Sequence, residues 1–386
     1  MIPITPRGFK DVLPDEARWR EEIITCVQAR LALWGYDPIE TPTLEVGEVL
    51  ELGGTLSDQA LRLIDSDGKL LVLRPDVTLP VARLVASRRG FAERLGERPL
   101  RFRYTQSVFR EQESLRAQAR EFTQIGTELI GKTGAAADAE VVLLFSEALA
   151  ATGLSDYTIV LCTVGVLREL ITACIRVGDL PSEWGASVLA ASHRSDLVAL
   201  QTLVDDPRLP KHYQAALLRI FGIRGGREAI EECRELVDGL DCMDGLEQLA
   251  TSYAIIEQSE AHAHVLLDFS VMSDFDYYTG MVFEAYAPGL GLRLGGGGRY
   301  DRMLADFGLD APAAGFAFGL ERAMHALLTQ EGADRANLGG ADLRRLSIDD
   351  DDPAKAFREA QILRAQGLRI ALDFAPSTET EDREDA

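Results

Sequence analysis

The sequence predicts an α+β protein. A body over residues 1–330 contains a helical region at about 165–260, a short α/β fragment follows over 331–375, and an acidic, disordered tail occupies 376–386. Three observations support this division. Strand-like segments at 101–109 and 121–130 precede, and others at 264–270 and 281–287 follow, a stretch in which Ala and Leu recur three and four residues apart, the period of a helix face. Asp349-Asp350-Asp351-Asp352-Pro353 is a strong helix start, with an aspartate cap, proline at the first helical position and negative charge at the positive dipole end. Glu379 to Asp385 is charged and has nothing to bury.

Each element follows from local chemistry. Arg7 to Pro14 is a turn-rich entry. A helix starts at Pro14-Asp15-Glu16, places Trp19, Ile23, Val27 and Leu31 on one face, and stops before Gly35. Tyr36 to Glu45 contains Pro38 and Pro42 and is expected as an edge strand and turn, because proline has no N–H for a central ladder. Leu70 to Pro75 is expected as a short buried strand, with a helix from Val77 to about Ser87. Arg101–Phe109 and Glu121–Ile130 are two strands joined by a polar loop, and Glu140–Ala151 is an amphipathic helix. Strands return at His264–Ser270 and Met281–Ala287, and Gly315–Leu328 reads as strand, turn and helix. Gly367 stops the last helix and Leu368–Phe374 alternates as a strand does.

Composition bounds the function. No apolar run approaches the roughly 20 residues of a membrane span, and the N-terminal residues lack the apolar segment of a signal peptide. A cytoplasmic protein with no membrane partner is expected. Forty basic against 62 acidic residues give a net charge of −22, which repels a polyanion and opposes a tRNA partner. Cys26, Cys162, Cys174, Cys233 and Cys242 are odd in number and scattered, without a C-x-x-C pair, and are expected as reduced structural thiols. His262 and His264 could present two imidazoles on one strand face, yet no third ligand is near in sequence, so no metal is expected. Gly295 to Gly298 is not followed by the Lys-Ser/Thr of a phosphate loop and is expected as close backbone packing. No cofactor is expected.

Four blocks carry a family resemblance. Gly35-Tyr36-Asp37-Pro38-Ile39-Glu40-Thr41-Pro42, Val108-Phe109-Arg110-Glu111 through Arg120-Glu121-Phe122-Thr123-Gln124, and Gly315-Phe316-Ala317-Phe318-Gly319-Leu320-Glu321-Arg322 are similar, in order, to the three motifs of class II aminoacyl-tRNA synthetases. Asp276-Tyr277-Tyr278 followed by Gly296-Gly297-Gly298-Arg299-Tyr300-Asp301 resembles the amino-acid pocket of the histidyl branch. The resemblance covers roughly residues 5–330 and implies a class II antiparallel sheet flanked by helices, with a homodimer formed around the first motif.

It also implies roles for residues. Asp76 and Thr78, in Arg74-Pro75-Asp76-Val77-Thr78, and Gln124 match ligands of the substrate amino group. Glu128 and Tyr278 match the pair that hydrogen-bonds an imidazole, whose two ring nitrogens a carboxylate and a phenol can satisfy. Tyr277 and Tyr300 are expected to line the pocket, with core packing as the alternative for Tyr277. Arg110 and Arg322 match the class-wide arginines, either as part of the histidine and anion site or as relics paired with acids.

Three departures separate the chain from an active synthetase. Ser273 stands where the histidyl branch has an arginine, Gln112 follows Glu111 where the class has Arg-x-Glu, and with residues 323–386 after Arg322 a strand–helix–strand fragment is expected rather than a full anticodon-binding domain. Retained histidine ligands without the charge that activates histidine make the chain similar to the regulatory-subunit family of ATP phosphoribosyltransferase. That family implies a non-catalytic protein with no catalytic residues of its own. Its partner is a short-form catalytic subunit in a hetero-octamer, its ligand is L-histidine, and its role is feedback in the first step of histidine biosynthesis. The alternative is a histidine-activating enzyme, either a truncated synthetase or a related ligase.

Overall fold

The computed structural model describes residues 5–52, 60–111, 119–194, 196–271, 277–331, 343–348 and 353–373. Ser273, Gln112, the segment 113–118, Asp349–Asp352 and the acidic tail lie outside the described residues. The chain divides into two compact units, one of residues 1–11 and 20–332 and the other of 12–19 and 333–386.

Helix α1 (Pro14–Leu33) has Asp15 and Glu16 in its first turn and buries Ile23, Val27 and Leu31 at helical spacing. Strands β1 (Asp37–Pro38) and β2 (Leu44–Val46), helix α2 (Gly47–Glu51), and strands β3 (Leu61–Ile64) and β4 (Leu70–Leu73) follow. Then come helices α3 (Thr78–Ser87) and α4 (Arg89–Leu95), the long strands β5 (Leu100–Phe109) and β6 (Glu121–Ile130), helix α5 (Ala135–Ala151) and strand β7 (Thr158–Thr163). The helical region comprises α6 (Val164–Gly178), α7 (Ser182–His193), α8 (Leu197–Val204) and α9 (Lys211–Arg219), the short strand β8 (Arg224–Gly225), and α10 (Arg227–Val237) and α11 (Asp244–Ile256). The unit closes with β9 (Val265–Asp268), β10 (Met281–Tyr286), β11 (Gly295–Arg299), β12 (Ala313–Gly319) and α12 (Leu320–Glu331).

Nine strands form one sheet in the order β1-β5-β6-β12-β11-β10-β7-β9-β8. Among the described residues of this sheet, only β1–β5 and β7–β9 pair in parallel. The two-residue β1 sits at the edge, where Pro38 costs no central ladder bond. The antiparallel sheet flanked by helices, with a helical region beside it, is therefore the fold the sequence predicts.

Several details differ from the sequence reading. Leu70–Leu73 is not a buried strand. Only Val72 is buried, because β4 belongs to a separate three-stranded sheet, β2-β4-β3, with one open face. Gly315–Leu328 contains no turn, since β12 runs directly into α12. His262 and His264 lie in a 3-10 turn over Glu260–His264 rather than on one strand face. His264 stacks on Tyr157 at 4.1 Å while His262 reaches the Tyr253 hydroxyl.

The glycine strand β11 shows why the sheet can close over a core. It lies between β10 and β12 with Gly297 opposite Phe283 and Phe316. Both rings pack on Phe145 of α5, with centroids 5.2 and 4.9 Å away. A Cβ on Gly297 would sit 2.1 Å from the Gly315 carbonyl oxygen, so only glycine permits this approach.

In the second unit, β13 (Leu343–Ser347) and β14 (Arg369–Asp373) pair in parallel, and α13 (Pro353–Ala365) connects them. Gly367 has φ of 82°, the left-handed stop that its position predicts. Ala356, Ala360 and Ile370 are buried.

Candidate functional site

A single cleft on the large sheet collects most of the residues singled out from sequence. Its walls include Asp76, Thr78, Arg110, Gln124, Tyr277, Tyr278, Tyr300 and Arg322, and it encloses about 770 Å³ including space open to solvent.

The acidic part of the wall is fixed by the turn after β4. Arg74, almost fully buried, donates to the Ser107 carbonyl at 2.8 Å and to the Thr41 carbonyl at 2.7 Å, holding the turn against β5. Asp76 Oδ1 accepts the Thr78 N–H at 2.7 Å and so caps α3. Its Oδ2 accepts from Gln124 Nε2 at 3.2 Å, and Gln124 Oε1 accepts the Val77 N–H at 3.2 Å. Each group thereby fixes the orientation of the other.

Gln124, Gly126 and Glu128 alternate along β6 and so share one face. Tyr104, opposite Gly126, lies across that glycine and donates to Glu128 Oε1 at 3.1 Å. A Cβ on Gly126 would come within 2.5 Å of the Tyr104 hydroxyl, and one on Gly315 within 2.0 Å of Glu128 Oε2. The two glycines thus open the space that Tyr104 and Glu128 fill. Tyr300 donates to Glu128 Oε2.

Glu128 is 1% exposed and stands behind the cleft wall rather than on it. As the structure stands, Glu128 reaches the cleft through the Tyr300 phenol. The Tyr278 ring lies over Gly298, and Tyr277 packs against Tyr278 and Tyr300 with centroids 4.8 and 6.1 Å apart. Burial raises the pKa of Tyr104, Tyr277, Tyr278 and Tyr300, so all four remain phenols and hydrogen-bond donors.

Burial pushes the Glu128 carboxyl up to about 8, opposed by hydrogen bonds from Tyr300, Thr78 and Tyr104 and assisted by repulsion from Asp76. Its ordinary value is 4.5. Between these values the folded protein holds a proton that the unfolded chain has lost. The stability this group contributes is therefore complete below about pH 4.5 and is lost as pH rises toward about 8. Glu128→Gln carries no such titration. Its melting temperature relative to wild type is expected to rise steadily from about pH 5 to about pH 8, and a difference that stays constant with pH would contradict the assignment.

The basic part of the wall has three members. Arg110 Nε donates to the Pro75 carbonyl at 2.8 Å, and its guanidinium stacks on Phe122, 5.3 Å from the ring centroid. Arg322 donates to the Arg293 carbonyl at 2.9 Å. Burial, then repulsion from Arg293 and Arg110, lowers the Arg322 pKa. Arg293 was not singled out from sequence, and it makes the cleft richer in positive charge than the loss of an arginine at Ser273 suggests. The only signal for it is an arginine two positions before the glycine strand, in a segment without periodicity.

Arg299 and Asp301 stand behind the cleft, not in it. Arg299 Nε donates to Asp138 Oδ1 at 2.7 Å, and Nη1 donates to Asp301 Oδ1 at 2.9 Å and to the Lys132 carbonyl at 3.1 Å. This buried pair ties β11 to α5. Among the described residues, no group of three His, Cys, Asp or Glu is placed to hold a metal ion. All five cysteines are free thiols. No helix among the described residues is long and apolar enough to cross a membrane.

Comparison with known proteins places this geometry. The histidyl-tRNA synthetase family model matches residues 8–323. The ATP phosphoribosyltransferase regulatory subunit of Moorella thermoacetica is 37% identical over 378 residues, 95% of this chain and 91% of the relative. That of Desulfitobacterium hafniense is 32% identical over 382 residues, 99% of this chain and 94% of the relative. The solved structure of an ATP phosphoribosyltransferase regulatory subunit/histidyl-tRNA synthetase from Bacillus halodurans superposes with a TM-score of 0.85 at 32% identity, covering 99% of this chain and 95% of its own. A histidyl-tRNA synthetase from Nostoc, at 21% identity and a TM-score of 0.76 over 98% of this chain and 88% of its own, shares the fold.

Proposed function

The chain belongs to the ATP phosphoribosyltransferase regulatory subunit family, and from that premise we propose that it is the non-catalytic partner of a short-form ATP phosphoribosyltransferase subunit and binds L-histidine in the cleft. The observation that carries the reading is the convergence, on one wall, of an acid–amide pair suited to an ammonium group and of phenols backed by a buried carboxyl suited to an imidazole. Asp76, Thr78 and Gln124 would take the amino group. Tyr278 and Tyr300, the latter oriented by Glu128, would take the ring, and Tyr277 would cover it.

Feedback then requires a coupling free energy between this cleft and the partner's site, typically about 1–3 kcal/mol. Histidine must favour one arrangement of the assembly over another. A homodimer within a hetero-octamer is consistent with the open face of the β2-β4-β3 sheet. Register sets Leu44, Leu73 and Leu61 in one cross-strand row and Val46, Leu71 and Leu63 in the next, an apolar surface of the kind that a subunit contact covers. A cytoplasmic location and the absence of tRNA binding belong to the same reading.

The second reading, a histidine-activating enzyme, is favoured by the arginines on the wall. Histidine-dependent exchange of pyrophosphate into ATP separates the two. The regulatory reading predicts no exchange above background, together with histidine inhibition of the complex reconstituted with a short-form catalytic subunit. Sustained exchange would establish the enzyme instead.

A further inference from the structure

The cleft wall carries charges of both signs close together. Arg110 is bonded to the carbonyl of Pro75, the residue immediately before Asp76, and Arg293 and Arg322 line the same cleft. An α-amino acid bears its ammonium and carboxylate on one carbon, so its recognition needs an acid and a base within a few ångströms. The acid side is accounted for by Asp76 with Gln124. The base side has three candidates, which the geometry distinguishes.

The Arg110 guanidinium is committed to the backbone through Nε and to the Phe122 ring. Arg322 reaches back to the Arg293 backbone. Arg293 is oriented by an acid. It donates through Nη1 to Glu284 Oε1, and Glu284, 7% exposed, also accepts from the Tyr286 hydroxyl. Glu284 sits on β10 opposite Gly296 of the glycine strand, so its backbone is held on a central strand. Arg293 lines the cleft together with Tyr278, the phenol proposed to meet the ring, and with Arg322, which donates to its carbonyl. A planar fork oriented by an acid that is itself held on a strand suits a carboxylate, which accepts two parallel N–H bonds.

We propose that Arg293 recognises the α-carboxylate of the bound amino acid and makes the site selective for the amino acid over analogues that lack that group. The inference rests on the reading of the cleft as a histidine site. It goes beyond that reading in naming the residue that distinguishes histidine from its alcohol and its amine. Arg293 acts as a specificity residue, and no bond is made or broken.

The test is calorimetric titration of the full chain, wild type and Arg293→Gln, with L-histidine, L-histidinol and histamine. Wild type is expected to bind L-histidine at least about tenfold more tightly than L-histidinol, the usual scale of one charge-assisted bond. R293Q is expected to lose about tenfold or more for L-histidine while changing less than about twofold for L-histidinol and histamine. Arg293→Lys, which keeps the charge without the fork, should fall between them. An equal loss for all three ligands would mean that Arg293 only holds Glu284 in place, and would overturn the proposal. So would wild-type affinity of R293Q for L-histidine, including the case in which it loses inorganic pyrophosphate instead, marking a phosphate site. If wild type binds no histidine at all, the underlying reading fails first and this one with it, so the two failures are distinguishable.

Discussion

Replacing Arg299 with alanine is expected to remove about 3–5 kcal/mol of unfolding free energy, because it leaves a buried carboxylate without its partner. Asp138 is 1% exposed, and its Oδ1 accepts from Arg299 Nε at 2.7 Å. Burial pulls the Arg299 pKa down, but Asp138 and Asp301 more than offset it, so the net direction is upward and Arg299 stays charged. Its loss would be a large part of the roughly 5–15 kcal/mol that keeps a domain folded. Gln248 donates to the other Asp138 oxygen at 2.7 Å, but an amide cannot replace a charge. The double replacement Arg299→Met with Asp138→Leu should recover much of the loss, since no unpaired charge remains buried. Denaturant unfolding of the three variants checks this. An Arg299→Ala effect below about 1 kcal/mol would show that solvent reaches the pair and relieves it.

Asp76→Asn is expected to weaken L-histidine binding by about tenfold to a hundredfold, the cost of losing a hydrogen bond to a charged ammonium group. The substitution keeps shape and volume, and Oδ1 can still accept the Thr78 N–H and cap α3. The start of α3 should therefore be kept. Gln124 must turn its amide to face the new one, which alters its bond to Val77. Unchanged histidine affinity in a folded D76N protein would remove Asp76 from the site.

Much of this was readable in the sequence, for identifiable reasons. The helix of Ile23, Val27 and Leu31 and the paired strands ending at Phe109 and starting at Glu121 have clear periodicity and are found where expected. The terminal strand–helix unit was marked by Pro353 and Gly367, punctuation that acts locally.

What was not readable depends on tertiary contact. Strand β7 passes unnoticed because Thr158–Thr163 lies between two apolar helices, and its run cannot be told from theirs by period alone. Gly295–Gly298 reads as packing rather than as a central strand, since glycine disfavours strands unless a neighbour needs the room. Alternation along β6 gives the direction of Glu128 but not its depth. That depth is set by Tyr104 of β5 and by Tyr300, just past the end of β11, which engage both carboxyl oxygens. Arg293 is the same case on the cationic side. Its importance comes from Glu284 and Arg322, which are distant neighbours in sequence.

The central claim is that the cleft is an intact receptor for histidine in a protein that does not activate it. Titration of L-histidine into the chain assembled with a short-form ATP phosphoribosyltransferase subunit tests it most directly. One saturable site per copy of this chain is the predicted result. The absence of saturable heat in that assembly, at histidine concentrations that inhibit it, would place the inhibitory site elsewhere and contradict the account.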